Sequence, residues 1–358
     1  MNSLYLVTGA NGHLGFTISK LLRSQAKHVR GLVLPHDNAA RLEALGVDVY
    51  KGDVTLIDSL LNFFSLEDGK YTYDDMILIH TAGIVSISNK KNPLIEKVNV
   101  MGTRNLITLA KHFKIKLFIY VSSVHAITEP NHHLYISEVL DFNPDSVVGA
   151  YAKSKAKASQ LMASEMKNGF KAIIVHPSGI IGPDDEGYGH MTMMIEDYMN
   201  GMLTSRVNGA YDFVDVRDVA LGIVQAIDNG TIGTSYILSG HRITLNDLFE
   251  MLRQLSGRKH RIHVLPQWFA KLSAPLAEIF YKLRKLPPIY SKYSLYTLSS
   301  NSYFDHSKAT QEIHYQVRPI EETIRDTVFW LDDVNRIRRH KIKAFIQSMR
   351  LLKKKSGH

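Results

Sequence analysis

Leu4-Tyr-Leu-Val-Thr8-Gly9-Ala-Asn11-Gly12-His13-Leu14-Gly15 decides how this chain is read. The apolar run Tyr5 to Thr8 is of strand type, and from Leu14 to Leu22 apolar residues return with helical period. Between the two, glycines let the backbone turn tightly and approach a pyrophosphate at the N-terminus of a helix, where open N–H groups favour an anion. Gly9, Asn11, Gly12, His13, Leu14 and Gly15 are therefore candidates for contact with a dinucleotide. A plain strand-to-helix turn carries similar glycines, so the surroundings of the loop must settle the reading.

Outward from that loop, short apolar runs alternate with amphipathic segments, the pattern of βα units and a parallel sheet. Strands are expected at Tyr5 to Thr8, His28 to Leu34, Val47 to Tyr50, Met76 to His80, Leu117 to Ser122 and Ala172 to His176. Helical periodicity fills Leu14 to Leu22, Ala39 to Leu45, Ile57 to Phe64, Pro93 to Phe113 and Tyr151 to Met166. This order implies an α/β fold, a Rossmann-type doubly wound parallel sheet with a smaller C-terminal substrate-binding region. Pro177, Gly179, Gly182, Pro183, Gly187 and Gly189 break the regularity and mark a domain crossing. Phe213 to Ala226 reads as strand and helix returning to the sheet, and Thr244 to Leu255 and Trp268 to Leu283 as helices of the second region. The expected division is a nucleotide-binding domain over 1–176 with 211–238, a substrate region over 177–210 and 239–335, and a tail over 336–358.

Composition narrows the function classes. The chain has 358 residues, 45% hydrophobic and 22% charged, ordinary for a globular protein and long enough for one large domain plus a smaller one. Its 43 Lys and Arg against 34 Asp and Glu give +9, and the nine cations of 336–358, with no acid among them, account for all of it. The basicity thus belongs to the tail and says nothing of an active site. Cysteine is absent, which removes disulfides, thiolate nucleophiles and Cys-ligated metals; no metal site is expected, and the setting is expected to be cytoplasmic. Leu4 to Val7 belongs to a strand rather than to a leader, and no apolar stretch approaches the roughly 18 residues of a membrane span.

The chemistry-bearing pattern is Tyr151-Ala-Lys-Ser-Lys155. At helical spacing both side chains project from one face, and an ammonium near a phenol stabilises the phenolate, bringing its pKa from about 10 toward that of a working general acid/base. The spacing alone is cheap: Tyr281-Lys-Leu-Arg-Lys285 repeats it outside any nucleotide-fold context and is read as structural. Tyr151 is distinguished by the fifth strand, which ends Val121-Ser122-Ser123 and delivers a hydroxyl to the carboxyl edge of the sheet, where a donor can polarise a carbonyl.

Taken with Thr8, the glycine loop spells Thr-Gly-x-x-Gly-x-x-Gly, which resembles the short-chain dehydrogenase/reductase family. His176-Pro177-Ser-Gly179-Ile180-Ile-Gly182-Pro183 and Phe213-Val-Asp215-Val-Arg217-Asp218-Val-Ala220 resemble its extended, epimerase/dehydratase-like branch, over roughly residues 1–330. The resemblance implies that Asp53 and Val54 lie near the adenine, that Thr81, Ala82 and Gly83 pass close to the cofactor, and that Asn99 of Asn99-Val-Met-Gly102-Thr103 supports Lys155 through water. It likewise places Pro177, Gly179 and Ile180 at the cofactor and makes Ser123, Tyr151 and Lys155 the catalytic set, with Ser123 preferred to Ser122 by the branch's Ser-x-x-aliphatic pattern. Hydride then moves between a substrate carbon and the nicotinamide, Tyr151 gives or takes the hydroxyl proton, Ser123 holds the oxygen and Lys155 grips the ribose. One departure leaves the cofactor open between NAD and NADP, with a lean to NAD: Val33-Leu34-Pro35 stands where an acid would bond the ribose or an Arg a 2′-phosphate, and Arg41 and His36 are the nearby phosphate candidates.

Within the branch two substrate classes compete: a hydrophobic, steroid-like or flavonoid-like alcohol or ketone, as in 3β-hydroxysteroid dehydrogenases and dihydroflavonol reductases, or a nucleotide sugar. Sugar-nucleotide members commonly carry an Arg two places before the aromatic of the Phe213 strand as a diphosphate clamp. Here the triplet is Tyr211-Asp212-Phe213, which favours the hydrophobic class, although Arg206, Arg217 or Arg242 could substitute. A dinucleotide-sensing protein would not need the intact triad. Relatives imply a homodimer. Phe345, Ile346, Met349 and Leu352 recur at helical spacing among the tail cations, so the tail is either a basic amphipathic helix lying on a membrane surface or a solvated terminus; nucleic acid is not expected as a partner.

Overall fold

The protein's structure is a computed structural model that describes residues 3–66, 69–86, 92–130, 134–203, 205–257, 262–266, 268 and 292–356. Leu4–Thr8 (β1), Met76–His80 (β4), Leu117–Val121 (β5) and Ala172–Pro177 (β6) are buried at every position. Near-continuous apolar runs of this kind suit strands covered on both faces, the situation of a parallel sheet between helices. With His28–Val33 (β2) and Asp48–Lys51 (β3) they are the six expected strands, shifted by a residue or so at their ends. A seventh, Ser235–Leu238, completes one parallel sheet ordered β3-β2-β1-β4-β5-β6 and then this last strand. The order reverses between β1 and β4, so the crevice of a doubly wound sheet opens where Gly9 and Thr81 to Gly83 leave those strands.

The helices follow the periodicity with two refinements. Pro93–Glu96 and Thr103–His112 are joined by a π-helical turn over Lys97–Gly102, which contains Asn99. Such turns bulge one residue out of the regular ladder and recur at functional sites. Ile57 to Phe64 is a 3₁₀ turn followed by a single α turn.

The chain packs as two compact units, Met1–Ser178 with Val216–Ser239 and Tyr303–Val317, and Gly179–Asp215 with Gly240–Ser302 and Arg318–His358. The expected return of Phe213 to Ala226 therefore needs correcting. The helix Val216–Asn229 belongs to the nucleotide-binding unit, but the strand before it, Ala210–Asp215, belongs to the second. There it lies between Gly179–Ile181, parallel, and His241–Thr244, antiparallel. The physical reason is that the free edge of β6 is already taken by Ser235–Leu238. Residues 303–317 also fall in the first unit: the Tyr315 ring fills the space beside Gly222, whose Cβ would lie 2.8 Å from it, and the Tyr315 hydroxyl donates to the Ser239 carbonyl at 3.0 Å.

The second unit adds a short parallel pair, Ser205–Val207 with His263–Leu265, and the helices His190–Asn200, Leu245–Ser256, Ile320–Asp333 and His340–Ser356. Trp268 to Leu283, apart from Trp268 itself, and the Tyr281–Lys285 repeat lie outside the described residues. Among the described residues no helix is long and apolar enough to cross a membrane. The tail is an ordered helix with part of its apolar face already buried: Ile342 and Ile346 are 4% and 0% exposed, whereas Leu351 is 63% exposed. Ile346→Ala should thus cost about 2–5 kcal/mol in the denaturant transition of this unit. Leu351→Ala should stay within about 0.5 kcal/mol of wild type, and equal effects would mean that the helix is not docked.

Candidate active site

At the end of β1, Gly9 turns with φ +64, and a Cβ there would sit 2.8 Å from both the nitrogen and the Cα of Ala82. A Cβ on Gly15 would collide with the Gly9 carbonyl. Gly12 caps the helix His13–Ser24 with extended backbone, no side chain bonds the cap, and the first turn holds no acid. The positive end of the helix thus faces a surface stripped of side chains, a cradle that fits the diphosphate of a dinucleotide. Leu14 is buried as the helix's first core anchor, and Asn11 Nδ2 donates to the Asn38 carbonyl at 3.0 Å, tying the loop to the segment after β2. In that segment the Arg41 guanidinium stacks on the Phe16 ring at 3.7 Å, while His36 is exposed. Asp53 closes an Asx turn through Thr55 N at 2.8 Å, and Val54 packs so tightly on Gly102 that a Cβ there would lie 2.7 Å from its methyl.

Beneath this cradle runs a buried chain of hydrogen bonds whose direction can be deduced. Thr103 Oγ1 donates to the Asn99 carbonyl at 2.7 Å, so at 3.0 Å from His80 Nε2 it accepts. Nδ1 of a neutral His80 is then an acceptor, and Thr8 Oγ1 donates to it at 2.8 Å while accepting from Ala82 N at 3.3 Å. Burial, aided by the nearby Lys155 charge, holds the His80 pKa down at about 3, so the neutral ring persists. Thr81 Oγ1 donates to the Thr8 carbonyl at 2.7 Å and fixes the same corner. The Asn99 side chain exchanges two bonds with the Ile84 backbone, at 2.8 and 3.1 Å, and donates to Ser154 Oγ at 2.9 Å. Its direct partners are therefore the Ile84 backbone and the helix of Tyr151, and Asn99 Oδ1 and Lys155 Nζ both approach Gly83, whose missing Cβ would lie 3.2 Å from the one and 3.5 Å from the other.

Tyr151 and Lys155 stand on the first turns of the helix Ala150–Lys167, which follows Gly149 at φ +98. Ser123 caps the 3₁₀ turn Val124–Ala126 at the end of β5, where its hydroxyl accepts from His125 N at 3.3 Å and lies near enough to Tyr151 to influence its proton. Ser122 instead bonds Ser159 at 2.7 Å in the sheet–helix interface, so the two adjacent hydroxyls have separate duties. Lys155 Nζ donates to the Val121 carbonyl at 2.8 Å. Burial lowers the Lys155 pKa to about 8 and pushes that of Tyr151 up to about 12, the nearby Ser123 hydroxyl opposing the latter. Two histidines absent from the expected set complete the site. His176 bonds the Ser123 carbonyl through Nδ1 at 3.1 Å, and the His125 ring stands edge-on to Tyr151 with centroids 6.3 Å apart. Burial lowers both to about 4 and keeps both neutral. Of the remaining candidates, Pro177 ends β6 in the first unit, whereas Gly179 and Ile180 lie in the short strand of the second, where Gly179 admits the Tyr211 and Phe213 rings.

This arrangement can bind an anionic dinucleotide at the switch point and pass a proton between Tyr151 and a substrate oxygen held by Ser123. The family model described as "NAD dependent epimerase/dehydratase family" matches residues 5–238. The chain belongs to that family. Among curated relatives of this epimerase/dehydratase-family protein, "Sterol demethylase protein B" of Methylococcus capsulatus is 29% identical over 91% of this chain and 97% of its own. A putative dihydroflavonol 4-reductase of Synechocystis is 27% identical over 93% and 96%. The crystal structure of gox2253 superposes with a TM-score of 0.80 at 29% identity, covering 94% of this chain and all of that one.

Tyr151→Phe is expected to lower turnover about 10²–10⁴-fold with cofactor affinity nearly unchanged, by steady-state assay beside fluorescence titration. Ser123→Ala should lose roughly 10²–10³-fold and Ser122→Ala far less. Because Tyr151 holds its proton up to about pH 12, alcohol oxidation, which needs the phenolate, should gain in kcat/KM as pH rises, while carbonyl reduction should not. A pH profile with the opposite slopes would remove Tyr151 from the proton step.

Proposed function

We propose that this protein interconverts a secondary alcohol and a ketone on a hydrophobic, sterol-like or flavonoid-like substrate, with NAD as redox partner. Bound NAD supplies the two-electron hydride acceptor. In the oxidising direction the carbinol carbon loses hydride, the phenolate of Tyr151 takes the hydroxyl proton, and the new carbonyl oxygen accepts from Ser123. Lys155, buried and donating to the Val121 carbonyl, keeps a positive charge beside Gly83, where the nicotinamide ribose would lie. The Methylococcus capsulatus relative is named for sterol chemistry and the Synechocystis one for a flavonoid ketone, and both align along nearly the whole chain.

The observation that supports the substrate class is that, among the described residues, no ready diphosphate clamp stands at the Phe213 strand. Tyr211 occupies the position of the clamp arginine, with its ring against Phe213 and Gly179. The cations that could replace it are already engaged. Arg206 bonds Asn208 at 3.1 Å and Asn246 at 2.8 Å, Arg242 bonds Ser302 at 3.1 Å, and Arg217 has a partner of its own. NAD is favoured over NADP by the family and by the stacking of Arg41 on Phe16, which occupies the cation nearest a 2′-phosphate.

The purified protein should change NADH absorbance with hydroxysteroids or flavonoid-like ketones and prefer NAD to NADP. Conversion of UDP- or dTDP-sugars to epimer or dehydrated product without net cofactor change would move it to the sugar class and overturn the proposal.

A further inference from the structure

Of the nine cations of 336–358, the six that precede the closing lysine run divide into two sets. Arg336 is paired with Glu196 at 2.6 Å, and Arg350 with Asp333 at 2.6 Å and the Phe329 carbonyl at 2.6 Å; these two fasten the tail to its own unit. Arg338, Arg339 and Lys341 are exposed and meet no carboxylate among the described residues, and Lys343 donates only to the neutral Asn335 side chain, at 3.1 Å. All four stand at or just before the N-terminal turn of the helix His340–Ser356. The positive end of the helix dipole makes cations there a cost to the fold, and no acid occupies that turn to relieve it. An external anionic surface would reverse the cost. Lys353 to Lys355 close the same helix, roughly 20 Å away at 1.5 Å per residue, so a ligand that meets both clusters must be extended.

We propose that this segment is an electrostatic docking surface for an anionic lipid bilayer, which it meets through Arg338, Arg339, Lys341 and Lys343 without inserting the helix. Insertion is opposed by the burial of Ile342 and Ile346 within the protein, which leaves Leu351 and Phe345 as the large exposed apolar side chains among the tail's described residues. Head-group attraction needs no apolar face: each cation near an anionic surface strengthens binding by about fivefold. Because residues 1–335 are net neutral, the field of the whole chain turns this face toward the membrane. The inference rests on the tail alone and stands apart from the proposed chemistry, although a lipophilic substrate would be met at the same surface.

The test is co-sedimentation of the full chain with phosphatidylcholine vesicles, with and without phosphatidylglycerol, at low and high salt, beside capture on duplex DNA. Binding only to the phosphatidylglycerol vesicles, released near 1 M salt where screening shortens to about 3 Å, is the expected result. The combined Arg338→Gln, Arg339→Gln, Lys341→Gln and Lys343→Gln variant should lose about fivefold per cation while melting no lower than wild type, and Leu351→Ala should bind as wild type. Equal binding to neutral vesicles, an undiminished fourfold variant, or loss on Leu351→Ala would each overturn the proposal. Capture by DNA under salt that releases vesicles would assign the surface to nucleic acid instead.

Discussion

The missing side chain at Gly9 is the constraint on which the rest of the site depends. It allows the turn after β1 to approach β4 so closely that a Cβ on Gly9 would lie 2.8 Å from the Ala82 backbone, bringing the ends of β1 and β4 together at the switch point of the sheet. Everything that follows is held to that corner. Thr8, His80 and Thr103 bond one strand end to the helix behind it, and Asn99 bonds the Gly83 shelf to the helix that carries Tyr151 and Lys155. Because the links are buried or partly buried, a misplaced member would leave a polar group unpaired at a cost of about 1–3 kcal/mol.

The same burial sets the acid–base chemistry. It resists charge on every ionisable group around the site, so the three histidines are neutral and Tyr151 keeps its proton, while the Lys155 ammonium is supported by the Val121 carbonyl. A neutral phenol beside a serine hydroxyl is poised as an acid toward a carbonyl. Its conjugate base becomes accessible as positive charge gathers near it, which Lys155 supplies in part.

Much of this was legible in the sequence. The six strands, the glycine loop and the Tyr151–Lys155 pair follow from periodicity and local spacing, because those features are encoded by neighbouring residues. Ser123 was separated from Ser122 only by resemblance; the bond of Ser122 to Ser159, on a helix far away in sequence, was not legible locally. His80, His125 and His176 were invisible as site residues because a buried neutral histidine has no spacing signature, although His80 and His176 both sit at strand ends inside motifs already noticed. The placement of Ala210–Asp215 was missed for a related reason. An apolar strand followed by a helix has the same local pattern whichever sheet it joins, and only the competition for the β6 edge decides. The tail's periodicity was read correctly as helical, but whether its apolar face meets lipid or protein depends on a partner helix that local sequence does not name.

In the proposed chemistry hydride leaves a substrate carbinol carbon while Tyr151 takes the proton, and deuterium placed at that carbon of a hydroxysteroid follows this step. Slowed oxidation and recovery of the label on the reduced nicotinamide are expected. Ketone formation with the label released to water, or label retained in the product after turnover, would contradict that chemistry.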